Sequence, residues 1–83
     1  MKIHKNLVEM RQGEEGTVVG IQGGITLKKR LDAMCITPGA NLRKISNSFL
    51  RGPVTVQIGN GRMALGFGMA SKIILEIEGG DTQ

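Results

Sequence analysis

Glycine spacing limits the length of every regular element this chain can form. Thirteen of its 83 residues are glycine, about twice the usual ~7% share. Gly13, Gly16, Gly23-Gly24, Gly39, Gly52, Gly59, Gly61, Gly66, Gly68 and Gly79-Gly80 cut the sequence into short pieces, none longer than 14 residues. Short pieces bounded by turn signals point to a small all-β barrel. Two pieces alternate cleanly. Val54, Val56 and Ile58 oppose Thr55 and Gln57, and Ile73, Leu75 and Ile77 oppose Glu76 and Glu78, which is the period of a half-buried strand. Gly59-Asn60-Gly61 supplies a tight hairpin, with Arg62-Met63-Ala64-Leu65 as the returning strand. Gly16 to Gln22 is β-branched and forms another strand. In Asn41 to Ser46 the apolar Leu42 and Ile45 lie three apart, so a bulge is expected there. The pattern predicts five strands.

One segment breaks it. From Thr26 to Met34, the side chains of Leu27, Leu31 and Met34 fall within about 60° of arc at ~100° per residue. Lys28, Lys29 and Asp32 lie opposite. This predicts an amphipathic helix over about residues 24–35 with a basic outer face, ended by Pro38-Gly39. Asn6 to Met10 reads as a helical turn capped by Asn6, with Leu7 and Met10 inward. Gly68 to Ser71 reads as a second single turn. The whole is one domain over 1–83, with a core of about 6–78 and a flexible tail at 79–83. At 83 residues the chain falls below the ~100–200 of a typical domain. It hides only about 60% of its unfolded surface, which leaves little room for a deep catalytic cleft.

The charge is uneven. Net charge is +4, yet seven basic residues between Lys28 and Arg62 face a single acid, Asp32. No apolar run approaches the ~20 residues of a membrane span, and Asn6, Glu9 and Arg11 interrupt any signal-peptide core. One cysteine makes no internal disulfide and suits a reducing compartment, so the expected location is the cytoplasm.

Catalytic chemistry finds few candidates. His4 has only Glu9 near it in sequence, and a general base needs an orienting partner. Cys35 lacks a histidine to activate it and reads as a small residue packed at the helix end. Glu14-Glu15 reads as a solvated pair in a glycine turn. Metal binding needs several converging ligands, and one Cys, one His and scattered carboxylates give no such spacing. Met10, Met34 and Met63 occupy core positions. Gly59-Asn60-Gly61-Arg62-Met63-Ala64 fits a loose dinucleotide pattern, but it precedes a strand and not a helix, so the hairpin reading prevails. Nucleic acid is a rival partner, given a sequence pI near 9.7. Against it, Phe49 and Phe67 are too few to form stacking platforms.

The order of short motifs is distinctive. Leu7 to Gly13 opens the series, then Gly16-Thr17-Val18-Val19, Ile21-Gln22-Gly23-Gly24 and Leu27-Lys28-Lys29-Arg30-Leu31. Met34-Cys35-Ile36-Thr37-Pro38-Gly39, Gly52-Pro53-Val54 and Met63-Ala64-Leu65 follow. This resembles the FeoA family of small accessory proteins in bacterial ferrous iron transport, over roughly residues 6–78. The resemblance implies an SH3-like barrel with a helix inserted after the first strand. It implies as partner the membrane ferrous iron transporter FeoB, whose cytosolic part carries a G-protein domain. It also brings transition-metal association and kinship with the end domains of metal-dependent repressors. Two positions depart from the family pattern. Met34-Cys35-Ile36 stands where Leu-Gly-Leu is usual, and Gly66-Phe67-Gly68 where a charged residue, often Arg, follows Ala-Leu. The second departure weakens any arginine-finger role on a partner's nucleotide. The function expected is a non-catalytic interaction module with no cofactor and no metal-ligand set within one chain, while a weak transition-metal site, or one shared between molecules, stays open. Its expected contact surface is Lys28 and Lys29 together with Gly66 and Phe67. The alternative is a small basic regulatory module that binds nucleic acid or serves as a repressor-type SH3-like domain; a metal carrier is disfavoured by ligand count.

Overall fold

The period-two segments bury the faces their patterns require: Val54, Val56, Ile73, Leu75 and Ile77 are all in the core. The computed structural model describes residues 1–46 and 50–78; the expected tail at 79–83 and Phe49 lie outside the described residues. Six strands, β1 (Lys2–Asn6), β2 (Glu15–Ile21), β3 (Asn41–Ser46), β4 (Val54–Ile58), β5 (Gly61–Leu65) and β6 (Ile73–Glu78), form one antiparallel sheet. Its order is β1-β6-β2-β3-β4-β5. The five expected strands are β2 to β6, and the helix follows the first of them. β1 is an addition, and no ladder joins β5 to β1, so the sheet curls around its core without closing into the expected five-stranded barrel.

Two bulges produce the curl. On β3 the register shifts between Lys44 and Ser46 against Val56 and Thr55, which leaves Ile45 as the extra residue where the sequence spacing required one. On β2 the shift falls between Val18 and Gly20, and the extra Val19 is turned outward. Each bulge bends its strand and raises the local twist. At the crossing of β2 and β6, Gly16 is buried, and a Cβ there would lie 2.9 Å from Ile77 Cγ1 and 3.2 Å from the Glu76 carbonyl oxygen. Between β4 and β5 the two-residue turn has its positive φ on Gly59 (57°), the first central position, as in a type II′ hairpin.

The helix α1 spans Ile25–Ala33. Leu31 is fully buried, Leu27 and Met34 pack against the core, and Lys28, Lys29 and Asp32 are exposed. It stops at Ala33, short of the expected 24–35, and the stop is not made by Pro38-Gly39. The Ile36 N–H donates to the Leu31 carbonyl (2.8 Å) and the Cys35 N–H to the Asp32 carbonyl (2.9 Å). These two bonds define a Schellman stop. Cys35 occupies its left-handed position at φ 66°, where glycine is the ordinary residue. The thiol is therefore exposed and not packed at the helix end as its place on the wheel suggested. A 3-10 turn at Leu7–Glu9 begins with a reciprocal cap: Asn6 Oδ1 accepts from the Glu9 N–H and Glu9 Oε1 from the Asn6 N–H, both at 2.9 Å. The second short turn, α2, is Phe67–Ala70.

Two substitutions should move stability in opposite directions, read by urea denaturation. Cys35→Gly relieves a left-handed residue and should stabilise by about 1 kcal/mol. Gly16→Ala forces a methyl into β6 and should cost about 1–3 kcal/mol.

Candidate functional site: a basic-rimmed groove beside the inserted helix

Where α1 leaves β2, its outer face and the chain returning from it enclose a groove of ≈ 480 Å³. Ile21, Ile25, Ile36 and Pro38 give it apolar walls, and Lys28, Lys29 and Asp32 rim it. Ile25 is 70% exposed, which is unusual for a large apolar side chain. The groove exists because the helix is short and buries Leu31 alone among its residues, so Ile25 at its first turn has no core to enter. Lys28 and Lys29 are on the outer face, as the helical wheel indicated, but beside apolar surface that the wheel did not show. Gly66 and Phe67 do not line this groove. Phe67 heads α2 and is half-buried, with the Arg51 guanidinium carbon 5.9 Å from its ring centroid, close enough for a cation–π contact.

The two places are nonetheless at one end of the sheet. Ile21 pairs with Ile73, and the Gln22 N–H donates to the Lys72 carbonyl at 2.8 Å. The chain entering α1 is therefore tied to the chain leaving α2. Sequence reasoning found Lys28 and Lys29 but missed Ile25, because the wheel of Leu27, Leu31 and Met34 gave it no role.

It also missed Lys44. The side chain is 1% exposed, so it adds nothing to the positive surface. Its Nζ donates to the carbonyls of Met10 (2.7 Å) and Val8 (2.9 Å), which fixes the segment around the 3-10 turn. That turn lies against α2, so Lys44 supports the placement of Phe67. Burial depresses the Lys44 pKa and Lys5 adds to this, while the Glu14 carboxylate opposes both. Glu14 is not a simple solvated acid. Burial pushes its carboxyl up, but the Arg11 N–H at 2.8 Å and the Lys5 ammonium at 3.2 Å together hold it below the ordinary range.

The remaining chemistry is at the other end of the sheet. His4 lies in β1 with Nε2 3.3 Å from Glu76 Oε1, and that imidazole together with Lys2 holds the Glu76 pKa down. Among the described residues no three His, Cys, Asp or Glu side chains gather as a metal site would need. No helix among them is long and apolar enough to cross a membrane.

An open, curled antiparallel sheet with one helix inserted between neighbouring strands is an SH3-like domain. Residues 5–77 match the family model of the FeoA domain, and the chain belongs to that family. A Methanocaldococcus jannaschii protein named "Putative Fe(2+) transport protein A" is 36% identical over 66 residues, covering 80% of this chain and 78% of its own. A crystal structure of the iron uptake regulatory protein FeoA is similar at TM-score 0.82 and 33% identity, over 88% of this chain and 96% of that one. A manganese-dependent transcriptional repressor matches at TM-score 0.84 and 22% identity over 94% of this chain, which spans 44% of the repressor. That likeness is one of fold alone.

Lys44→Met removes a buried charge but leaves two carbonyls without a donor. Unmade bonds cost about 1–3 kcal/mol each, offset in part by the lost desolvation. The net expectation is a loss of about 1–3 kcal/mol at neutral pH. A lysine depressed below its ordinary 10.5 binds fewer protons folded than unfolded, so its contribution rises with pH and is complete above 10.5. The urea midpoint of the native protein should therefore climb toward that pH relative to Lys44→Met. Parallel pH profiles would show that the ammonium carries no such burden.

Proposed function

We propose that this chain is a non-catalytic accessory protein of ferrous iron uptake, working in the cytoplasm by docking on the cytosolic region of the membrane transporter FeoB. The family membership supports the iron-transport setting. The observation that carries the docking role is the groove, which joins an exposed apolar wall to two lysines that have no ion partner among the described residues. Exposed apolar surface rimmed by charge is a feature of interaction sites. The rest of the chemistry supports a role without catalysis. His4 and Glu76 pair on the exposed surface of β1 and β6, and among the described residues exposed Cys35 has no basic group hydrogen-bonded to it. The same reading holds that the monomer carries no tight ferrous or zinc site and no cofactor, and that nucleic acid is not its partner. Gly66 and Phe67, at the same end of the sheet, are the second part of the contact.

The test is binding of a soluble cytosolic region of a ferrous iron transporter to Lys28→Glu/Lys29→Glu. Both lysines are exposed, so folding stability should change by within about ±0.5 kcal/mol. Binding should weaken by about tenfold or more and lose much of its salt dependence. A folded double variant that binds like the native protein at every salt concentration would sink the lysine contact.

A further inference from the structure

The charges of this chain are sorted by the fold. Among the described residues every ion pair uses Glu14, Glu15, Glu76 or Glu78, matched with Lys5, Arg43, Lys2, His4 and the N-terminal ammonium. Lys28, Lys29, Arg30 and Lys72, grouped at one end with the single acid Asp32, are exposed and enter none of them; Arg11, Arg51 and Arg62 are also exposed and outside every pair. The β2–β6 ladder separates the two sets. It runs from Thr17 opposite Glu76 at one end to Ile21 opposite Ile73 at the other, with Lys72, Gly23-Gly24 and α1 following the second end. The most exposed large apolar residue at that end of β2 is Ile25, on the first turn of α1 and beside Lys28 and Lys29.

We propose that this end of the domain rests on an anionic lipid surface. The proposal goes beyond the transporter contact, because Arg30 and Lys72 lie outside the groove and have no role in it. Lys28, Lys29 and Arg30 spread over about 200° of helical arc, and none of the four cations makes a side-chain hydrogen bond among the described residues. They preform no geometry for a particular carboxylate or phosphate. A diffuse layer of lipid headgroups needs none. Ile25 among them is placed to enter the boundary between headgroups and acyl chains, as apolar residues do beside basic ones in interfacial helices. On a nucleic-acid backbone that side chain would have no partner. Each basic residue near an anionic surface is worth about a fivefold gain in partition. With a Debye length of about 10 Å at 0.1 M salt, the association is weak, reversible and salt-sensitive. It concentrates the protein at the membrane before docking, because Ile25, Lys28 and Lys29 can face lipid or the transporter region but not both at once.

The experiment is co-sedimentation of the full chain with vesicles of phosphatidylcholine alone or mixed with phosphatidylglycerol. Binding is expected only to the mixed vesicles, falling as salt rises. Arg30→Glu/Lys72→Glu should weaken it by about thirtyfold or more, while Arg11→Glu/Arg62→Glu, an equal change of net charge elsewhere, should change it far less. The chain has no Trp or Tyr, so Ile25→Trp gives a single reporter whose emission should shift to the blue on mixed vesicles. No binding to mixed vesicles, equal loss from both double reversals, or an unshifted emission from the Ile25→Trp variant would each overturn the proposal. Tighter binding to duplex DNA than to mixed vesicles, with the same loss in Arg30→Glu/Lys72→Glu, would reassign the patch to nucleic acid. A transporter region free of lipid is absent from this assay, so failure here and failure of the docking reading are separate results.

Discussion

The Lys44 ammonium, lodged under the first turn of the chain, is the interaction on which much of the rest depends. Taking a lysine out of water costs free energy, and here the cost is offset by two backbone carbonyls that would otherwise be short of donors. Its own backbone joins the same arrangement, with the Lys44 N–H on the Glu14 carbonyl and the Gly13 N–H on the Lys44 carbonyl. One residue of β3 thus holds both ends of the excursion between β1 and β2. The 3-10 turn that Lys44 braces lies against α2, and α2 leads into β6 at the centre of the β1-β6-β2 ladder. Removing the brace would loosen the route to the helix end before it loosened the sheet.

Much of this architecture was legible in the sequence because the residues concerned act locally. Val54, Val56 and Ile58, with Ile73, Leu75 and Ile77, alternate at the period of a pleated strand, and the sheet follows. The three-residue gap from Leu42 to Ile45 required a bulge, and one is there. β1 was not legible because Ile3 is its only apolar residue; it is held by register with β6 and by ion pairs, neither of which leaves a pattern in five residues. Lys44 was not legible either. A lysine in a basic stretch reads as solvated, and only the return of residues 8 to 10 beneath it makes burial tolerable. Cys35 shows a third kind of failure. The helical wheel was extended to it past the point where the helix stops, and at the left-handed turn its thiol is exposed.

The candidate site was half readable. Lys28 and Lys29 followed from helical spacing, whereas the groove beside them needs Ile21, Ile36 and Pro38 brought together from both sides of α1. Cys35 bears on this too. Glycine is the ordinary residue at such a left-handed stop, so Cys35 keeps the stop signal's geometry at some strain and leaves the returning segment on the groove wall. SH3-like domains of this kind serve proteins as different as FeoA and a manganese-dependent repressor, so it is the groove and the sorted charges, not the sheet, that carry the functional reading.

The pairing of β1 with β6 sets the N-terminal ammonium 3.5 Å from Glu78, so the two ends of the folded sheet emerge side by side. A chain entering and leaving at one spot can be joined into a longer polypeptide without crossing the domain's own surface. That spot is at the ion-paired end of the ladder, with α1 and α2 at the other. Anything attached there would carry the domain like a tool by its handle, with the helix end presented outward. The same geometry lets one fold work alone, or as the smaller part of a protein more than twice its length.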